Sequence, residues 1–248
     1  MVTKKLISLV VLVALIGCES ATAQSMKDGV YYAEESDFDS RGWKGMITIT
    51  VKGGKITGAF YDEINKSNEL KGLNNSYSQS MKEKSKITPK QAVEKLSASL
   101  VAKQDPAKVD AVTGATGSVD KFKALADKAI KEGAEKKSGK YYPGFYSAES
   151  DYDSHGFKAY AAVLIKNGKI TNAWFGEFDK SGAVKSANET YANIMRSVSG
   201  ATPAEAEKAL TASLVAKQDP AKVDTVTGAT DTTNTFRKLM QQALTSAQ

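Results

Sequence analysis

Asp110-Ala-Val-Thr-Gly-Ala-Thr116 recurs 114 residues later as Asp224-Thr-Val-Thr-Gly-Ala-Thr230. The copies belong to a longer match. From Leu96 to Thr116 only Ser97 and Ala111 differ from their counterparts, Thr211 and Thr225. Moving outward without a gap, Pro89 falls on Pro203, Tyr77 on Tyr191, Lys71 on Lys185, and Gly54-Lys-Ile-Thr57 on Gly168-Lys-Ile-Thr171. Asp37-Phe-Asp-Ser-Arg-Gly42 falls on Asp151-Tyr-Asp-Ser-His-Gly156. A period this long, used twice, signifies a duplicated domain, because solenoid repeats are shorter and more numerous. The expected organisation is one domain over 28–131, a charged, glycine-containing linker over 132–139, and a second domain over 140–248.

Within a repeat, strands come first and helices later, which predicts an α+β fold. Gly29 to Glu34 reads as a strand. In Trp43 to Lys52, Ile47, Ile49 and Val51 alternate with Met46, Thr48 and Thr50, a strand with one drier face. Gly53-Gly54, and Asn167-Gly168 in the second copy, are two-residue hairpin turns that return the chain as the next strand. A polar segment containing Lys71 and Tyr77 leads to Thr88-Pro-Lys-Gln91. Its counterpart Thr202-Pro-Ala-Glu205 is a capping box with proline at the first helical position. After the threonine motif, Phe122, Leu125, Ala129 and Ile130 share one helical face, repeated by Phe236, Leu239, Ala243 and Leu244.

Composition narrows the chemistry. The chain holds one cysteine, Cys18, and one histidine, His155, so no intrachain disulfide and no Cys/His zinc cluster can form. A histidine-based triad has almost nothing to draw on, and any redox chemistry needs a cofactor. The net charge of +6 is read as a lysine-rich solvated exterior, since no arginine cluster or basic-aromatic motif points to nucleic acid. Asp37/Asp39 and Asp151/Asp153 are read as loop acids: they are too few for calcium, and no calcium-loop spacing follows. No metal site is expected.

Lys4 and Lys5 precede the apolar run Leu6 to Ile16, too short to span a bilayer and typical of a signal peptide. Leu15-Ile16-Gly17-Cys18 resembles a bacterial lipobox, in which the cysteine sulfur takes a diacylglyceryl group. The expectation is a lipoprotein signal peptide over 1–17, lipidation at Cys18, and a tether over 18–27. The mature chain would then be lipid-anchored on the outer face of the cell membrane.

The repeated motif itself combines a hydroxyl, a flexible backbone and a helix start. Gly114 and Gly228 permit tight curvature, and Ala115 and Ala229 add little bulk. Thr116 and Thr230 stand where a helix begins, as N-caps or as acceptors beside a terminus suited to phosphate. A capped turn without a ligand is the plainer alternative for one copy alone; two copies in matching domains make it the weaker one.

Asp110-x-x-Thr-Gly-Ala-Thr116 and its copy resemble the flavinylation motif of FMN-binding domains, found in covalent-flavin subunits of sodium-translocating quinone reductase and its relatives. The resemblance covers essentially the whole mature chain, including the Gly-Lys-Ile-Thr hairpins. It implies two FMN groups held by phosphodiester bonds to Thr116 and Thr230, placed there by a transferase that uses FAD as donor. Asp110, Thr113, Gly114 and Ala115, with Asp224, Thr227, Gly228 and Ala229, would line the phosphate or ribityl chain. Tyr77/Tyr191 and Trp43/Phe157 would pack on the ring or belong to the core. Lys71/Lys185 would offset negative charge or lie in solvent. With the lipobox, the chain is similar to the two-domain pheromone-precursor lipoproteins of Gram-positive bacteria. That similarity implies an electron carrier between a membrane reductase or quinol-linked donor and extracellular acceptors, with no catalytic residues of its own. The alternative is a non-redox surface lipoprotein that serves mainly as precursor of a signal-derived peptide pheromone.

Overall fold

A computed structural model describes residues 26–248. The signal peptide, Cys18 and all but the last two residues of the expected tether lie outside the described residues. Among the described residues no helix is long and apolar enough to cross a membrane.

Strands β1 (Gly29–Glu34), β2 (Trp43–Lys52) and β3 (Lys55–Asn65) form an antiparallel sheet in that order. The chain turns between β2 and β3 through Gly53 and Gly54, both at positive φ, as this two-residue hairpin requires. Helices α1 (Asn75–Ser85), α2 (Pro89–Lys103) and α3 (Thr116–Glu132) follow. The second repeat gives β4 (Gly144–Tyr152), β5 (Phe157–Lys166) and β6 (Lys169–Asp179), then α4 (Glu189–Ser199), α5 (Pro203–Lys217) and α6 (Thr230–Thr245). Each half is thus an antiparallel three-stranded sheet with helices, the α+β class expected.

One face of the first sheet carries Tyr31, Ile47, Ile49 and Tyr61 onto Leu96 and Leu100 of α2 and Phe122, Leu125 and Ala129 of α3. Tyr61 meets Phe122 edge-on at 5.2 Å between ring centroids; Phe175 and Phe236 repeat that contact at 5.3 Å. Burying a large side chain of this kind contributes on the order of 1.5–3 kcal/mol.

The other face of each sheet is buried too. Met46 and Leu70 of the first half share a core with Phe145, Tyr160, Leu164 and Trp174 of the second. The two sheets therefore pack on each other, with helices on the two outer sides. Thr48, on the less apolar face of the alternation, is fully buried, and its Oγ1 accepts a hydrogen bond from the Phe145 amide at 2.7 Å. Trp174 donates its indole N–H to the Asn68 carbonyl at 2.7 Å. Between the halves, Glu135 donates its amide to the Val30 carbonyl at 2.7 Å, so the connection lies along β1.

Candidate functional site

The stretch before α3 is pinned from behind. Asp110 donates its amide to Ser99 Oγ at 2.8 Å, and its carboxylate accepts from that same hydroxyl at 3.0 Å. Asp224 and Ser213 repeat the arrangement at 3.0 and 3.3 Å. These aspartates hold the loop against α2 and α5 and stand outside the cavities described below. Thr113 and Thr227 are exposed in the turn and also stand outside them.

Gly114 then takes φ +79°, and Gly228 takes +77°, the left-handed region that disfavours a side chain. A Cβ at Gly114 would collide with Ser85 at the end of α1, and one at Gly228 with Ser199 at the end of α4. Only glycine lets the motif pass this close to the neighbouring helix.

Thr116 is the first residue of α3 and not its N-cap. Ala115 holds the cap position with no side-chain cap, and Ala229 does the same for Thr230 and α6. Alanine has no oxygen to offer, so the helix-start N–H groups have no side-chain acceptor. Both threonines are exposed.

Each threonine opens on a cavity, about 740 Å³ in the first half and 600 Å³ in the second. Both volumes lie within the roughly 300–1,000 Å³ range of small-molecule sites. Gly114, Ala115, Thr116, Lys71 and Tyr77 line the first; Gly228, Ala229, Thr230, Lys185 and Tyr191 line the second. Five of the sequence candidates in each half thus meet in one place.

Lys71 is buried, not solvated. Its Nζ lies 2.9 Å from Glu63, 4.7 Å from the Tyr77 ring centroid and 5.5 Å from that of Trp43. Lys185 lies 3.0 Å from Glu177, 4.9 Å from Tyr191 and 5.0 Å from Phe157. Trp43 itself is buried behind the cavity, so its part is to support Lys71 and Tyr77.

Several site residues escaped the sequence reading. Lys121, one turn and a half into α3, reaches Asp39 at 2.9 Å and Glu35 and Glu63 at 3.0 Å. Ser118 donates to Glu63 at 3.0 Å. Burial works against the charge on Glu63, but Lys71 and Lys121 outweigh it and hold its carboxyl below the usual range. Burial likewise works against Lys121, yet its acidic partners raise its affinity for the proton. Asp39 also accepts the amides of Arg41 and Trp43, shaping the loop that carries Arg41 to the cavity. The available signal was the spacing after Thr116, which brings Ser118 and Lys121 to the motif's side of α3.

The fold and these cavities define a tandem pair of similar α+β halves, each with a cavity of small-molecule size beside an exposed threonine at a helix start. Residues 42–131 match the family model described as FMN-binding domain. The chain is 36% identical over 114 residues to a 15 kDa lipoprotein of Treponema pallidum (strain Nichols), spanning 46% of this chain and 79% of that one. It is also similar to a Clostridium perfringens protein solved by crystallography, with 38% identity, 44% of this chain, 88% of that chain and a TM-score of 0.42. A Clostridium thermocellum protein solved by NMR shows 38% identity, 43% and 92% coverage, and a TM-score of 0.32. The chain belongs to the FMN-binding domain family.

The residues present fit that cofactor. The helix start without a side-chain cap suits a phosphate. Lys71, Lys121 and Arg41 supply positive charge, and Tyr77 and Met81 supply flat and soft apolar surface for a ring. The second cavity offers Lys185, Tyr191 and Met195 in the same places.

Proposed function

We propose that this protein is a lipid-anchored flavoprotein that carries FMN covalently on Thr116 and Thr230 and relays electrons from a membrane donor to extracellular acceptors. The observation that carries the reading is the exposed threonine at the mouth of a cavity of cofactor size, repeated in both halves. FMN supplies the redox chemistry; the chain supplies attachment, orientation and charge.

In attachment, the threonine oxygen forms an ester to the FMN phosphorus, the pyrophosphate bond of FAD breaks, AMP leaves, and the hydroxyl proton passes to solvent. The family's FAD-using transferase is the partner for that step. The open approach to both threonines suits modification by a separate enzyme. The positive helix start and Lys71 or Lys185 favour the phosphate and a reduced, anionic ring. Similarity to a lipoprotein, together with Leu15-Ile16-Gly17-Cys18, supports lipidation at Cys18 and placement on the outer face of the membrane. A covalent bond keeps a small cofactor from being lost where it is not readily replaced.

Intact-mass measurement of the mature protein from its native envelope tests the reading. It is expected to show the lipid anchor and two additions, each of one FMN less water. Thr116→Val and Thr230→Val should each remove one addition. An unmodified wild-type chain overturns the covalent assignment.

A further inference from the structure

Paired at the 114-residue offset, the two cavity linings keep their shape-forming positions and both acids, while of the cations only Lys71/Lys185 is kept. Gly114/Gly228, Ala115/Ala229, Tyr77/Tyr191, Met81/Met195 and Ser85/Ser199 are identical. The first cavity is lined by four cations, Arg41, Lys71, Lys84 and Lys121, against two acids, Asp39 and Glu63. At the same places the second has His155, Lys185, Val198 and Thr235. It keeps both acids as Asp153 and Glu177, and adds a third, Asp231, where the first repeat has Gly117.

The difference reaches into the buried part of the site. Glu63 is held by two ammonium groups, Lys71 and Lys121, while the ion pair found at Glu177 is with Lys185. Glu35 also pairs with Lys121, whereas its counterpart Glu149 turns away to Lys158 and to Lys90 of the other half.

Reduction of a flavin at neutral pH places negative charge on the ring, so fixed cations favour the reduced form and fixed acids oppose it. A charge a few ångströms away in a partly desolvated site changes such an equilibrium by more than a factor of ten. On the reading that both threonines carry FMN, we propose that the two sites have unequal potentials, the Thr116 site the higher. The chain is then an ordered pair: reducing equivalents settle at the Thr116 site and arrive there by way of the Thr230 site. In that exchange two electrons and one proton leave the second site, and the same two electrons and one proton are taken up at the first.

Spectroelectrochemical titration of the full-length Thr230→Val and Thr116→Val proteins isolates the first and second site respectively. The Thr230→Val protein is expected to be reduced at the higher potential. The separation should be at least tenfold in the equilibrium constant, or about 30 mV for a two-electron couple. Arg41→His with Lys84→Val, two exposed positions whose exchange spares the buried ion pairs, should lower the first site; Thr235→Lys should raise the second. Equal potentials, or the reverse order, in proteins whose mass shows one bound FMN overturn the inference and leave the attachment intact. Absence of FMN from both variants and from wild type removes the attachment and the inference with it.

Discussion

The Lys71 ammonium stands 2.9 Å from the Glu63 carboxylate with both side chains buried, and Lys185 and Glu177 repeat the pair at 3.0 Å. Removing one partner of a buried pair strands the other charge, at a cost of about 3–5 kcal/mol. Lys185→Met should approach that cost. Lys71→Met should cost clearly less, because Lys121 still holds Glu63. Thermal melts of the two variants check the order; equal losses would mean that Lys121 does not compensate.

Gly114→Ala should cost at least the ~1–2 kcal/mol of a left-handed backbone carrying a side chain. The collision with Ser85 adds to it. The same substitution should lower occupancy at Thr116 while leaving Thr230 modified, which peptide-level mass spectrometry reads directly. Undiminished modification at Thr116 would show that the close approach of loop and helix is not needed for loading.

Thr48→Val keeps the volume of a fully buried side chain but removes the acceptor for the Phe145 amide. An orphaned buried donor costs about 1–3 kcal/mol. The loss should appear as faster hydrogen exchange in β4 before either helical layer is affected. Exchange limited to β2 would contradict the contact between sheets.

Glu207 gives a pH signature. Burial, and secondarily Glu177, raise its carboxyl to about 8, above the ordinary value of about 4.5. The folded state therefore holds a proton that the unfolded state has released, and the stability this supplies is full below about pH 4.5. It is lost as pH rises through about 8. Glu207→Gln should match wild type near pH 4.5 and exceed it in melting temperature near pH 8.5. A constant difference across that range would rule out titration of Glu207 as the cause.

What could be read from sequence was local. Thr88 and Gln91 form their capping box with bonds of 3.2 and 3.1 Å, and Asn167-Gly168 takes positive φ at both residues, because each motif is complete within four residues. The glycine, the exposed threonine and Lys71 with Tyr77 were found through the repeat. Helices α1 and α4 were read as polar segments because each touches the rest along a narrow face and begins at an asparagine, Asn74 or Asn188, that also suits a loop. The burial of Thr48 was not legible, because alternation within one strand says nothing about a second sheet far along the chain. Lys121 was missed because a lysine on an amphipathic helix ordinarily faces water, and its acidic partners come from the loop between β1 and β2 (Glu35, Asp39) and from β3 (Glu63).

The face-to-face packing of the two sheets makes the chain a dimer tied into one piece. A dimer of identical subunits must present the same patch on both sides and repeats every change at both sites. Here each half always meets the other and never itself, so Thr48 can answer Phe145 and Asn68 can answer Trp174 with no mirrored contact required. Fusion also holds the partners together at any dilution. Released from symmetry, one cavity can carry Arg41, Lys84 and Lys121 where its twin has His155, Val198 and Thr235, and the twin alone can carry Asp231.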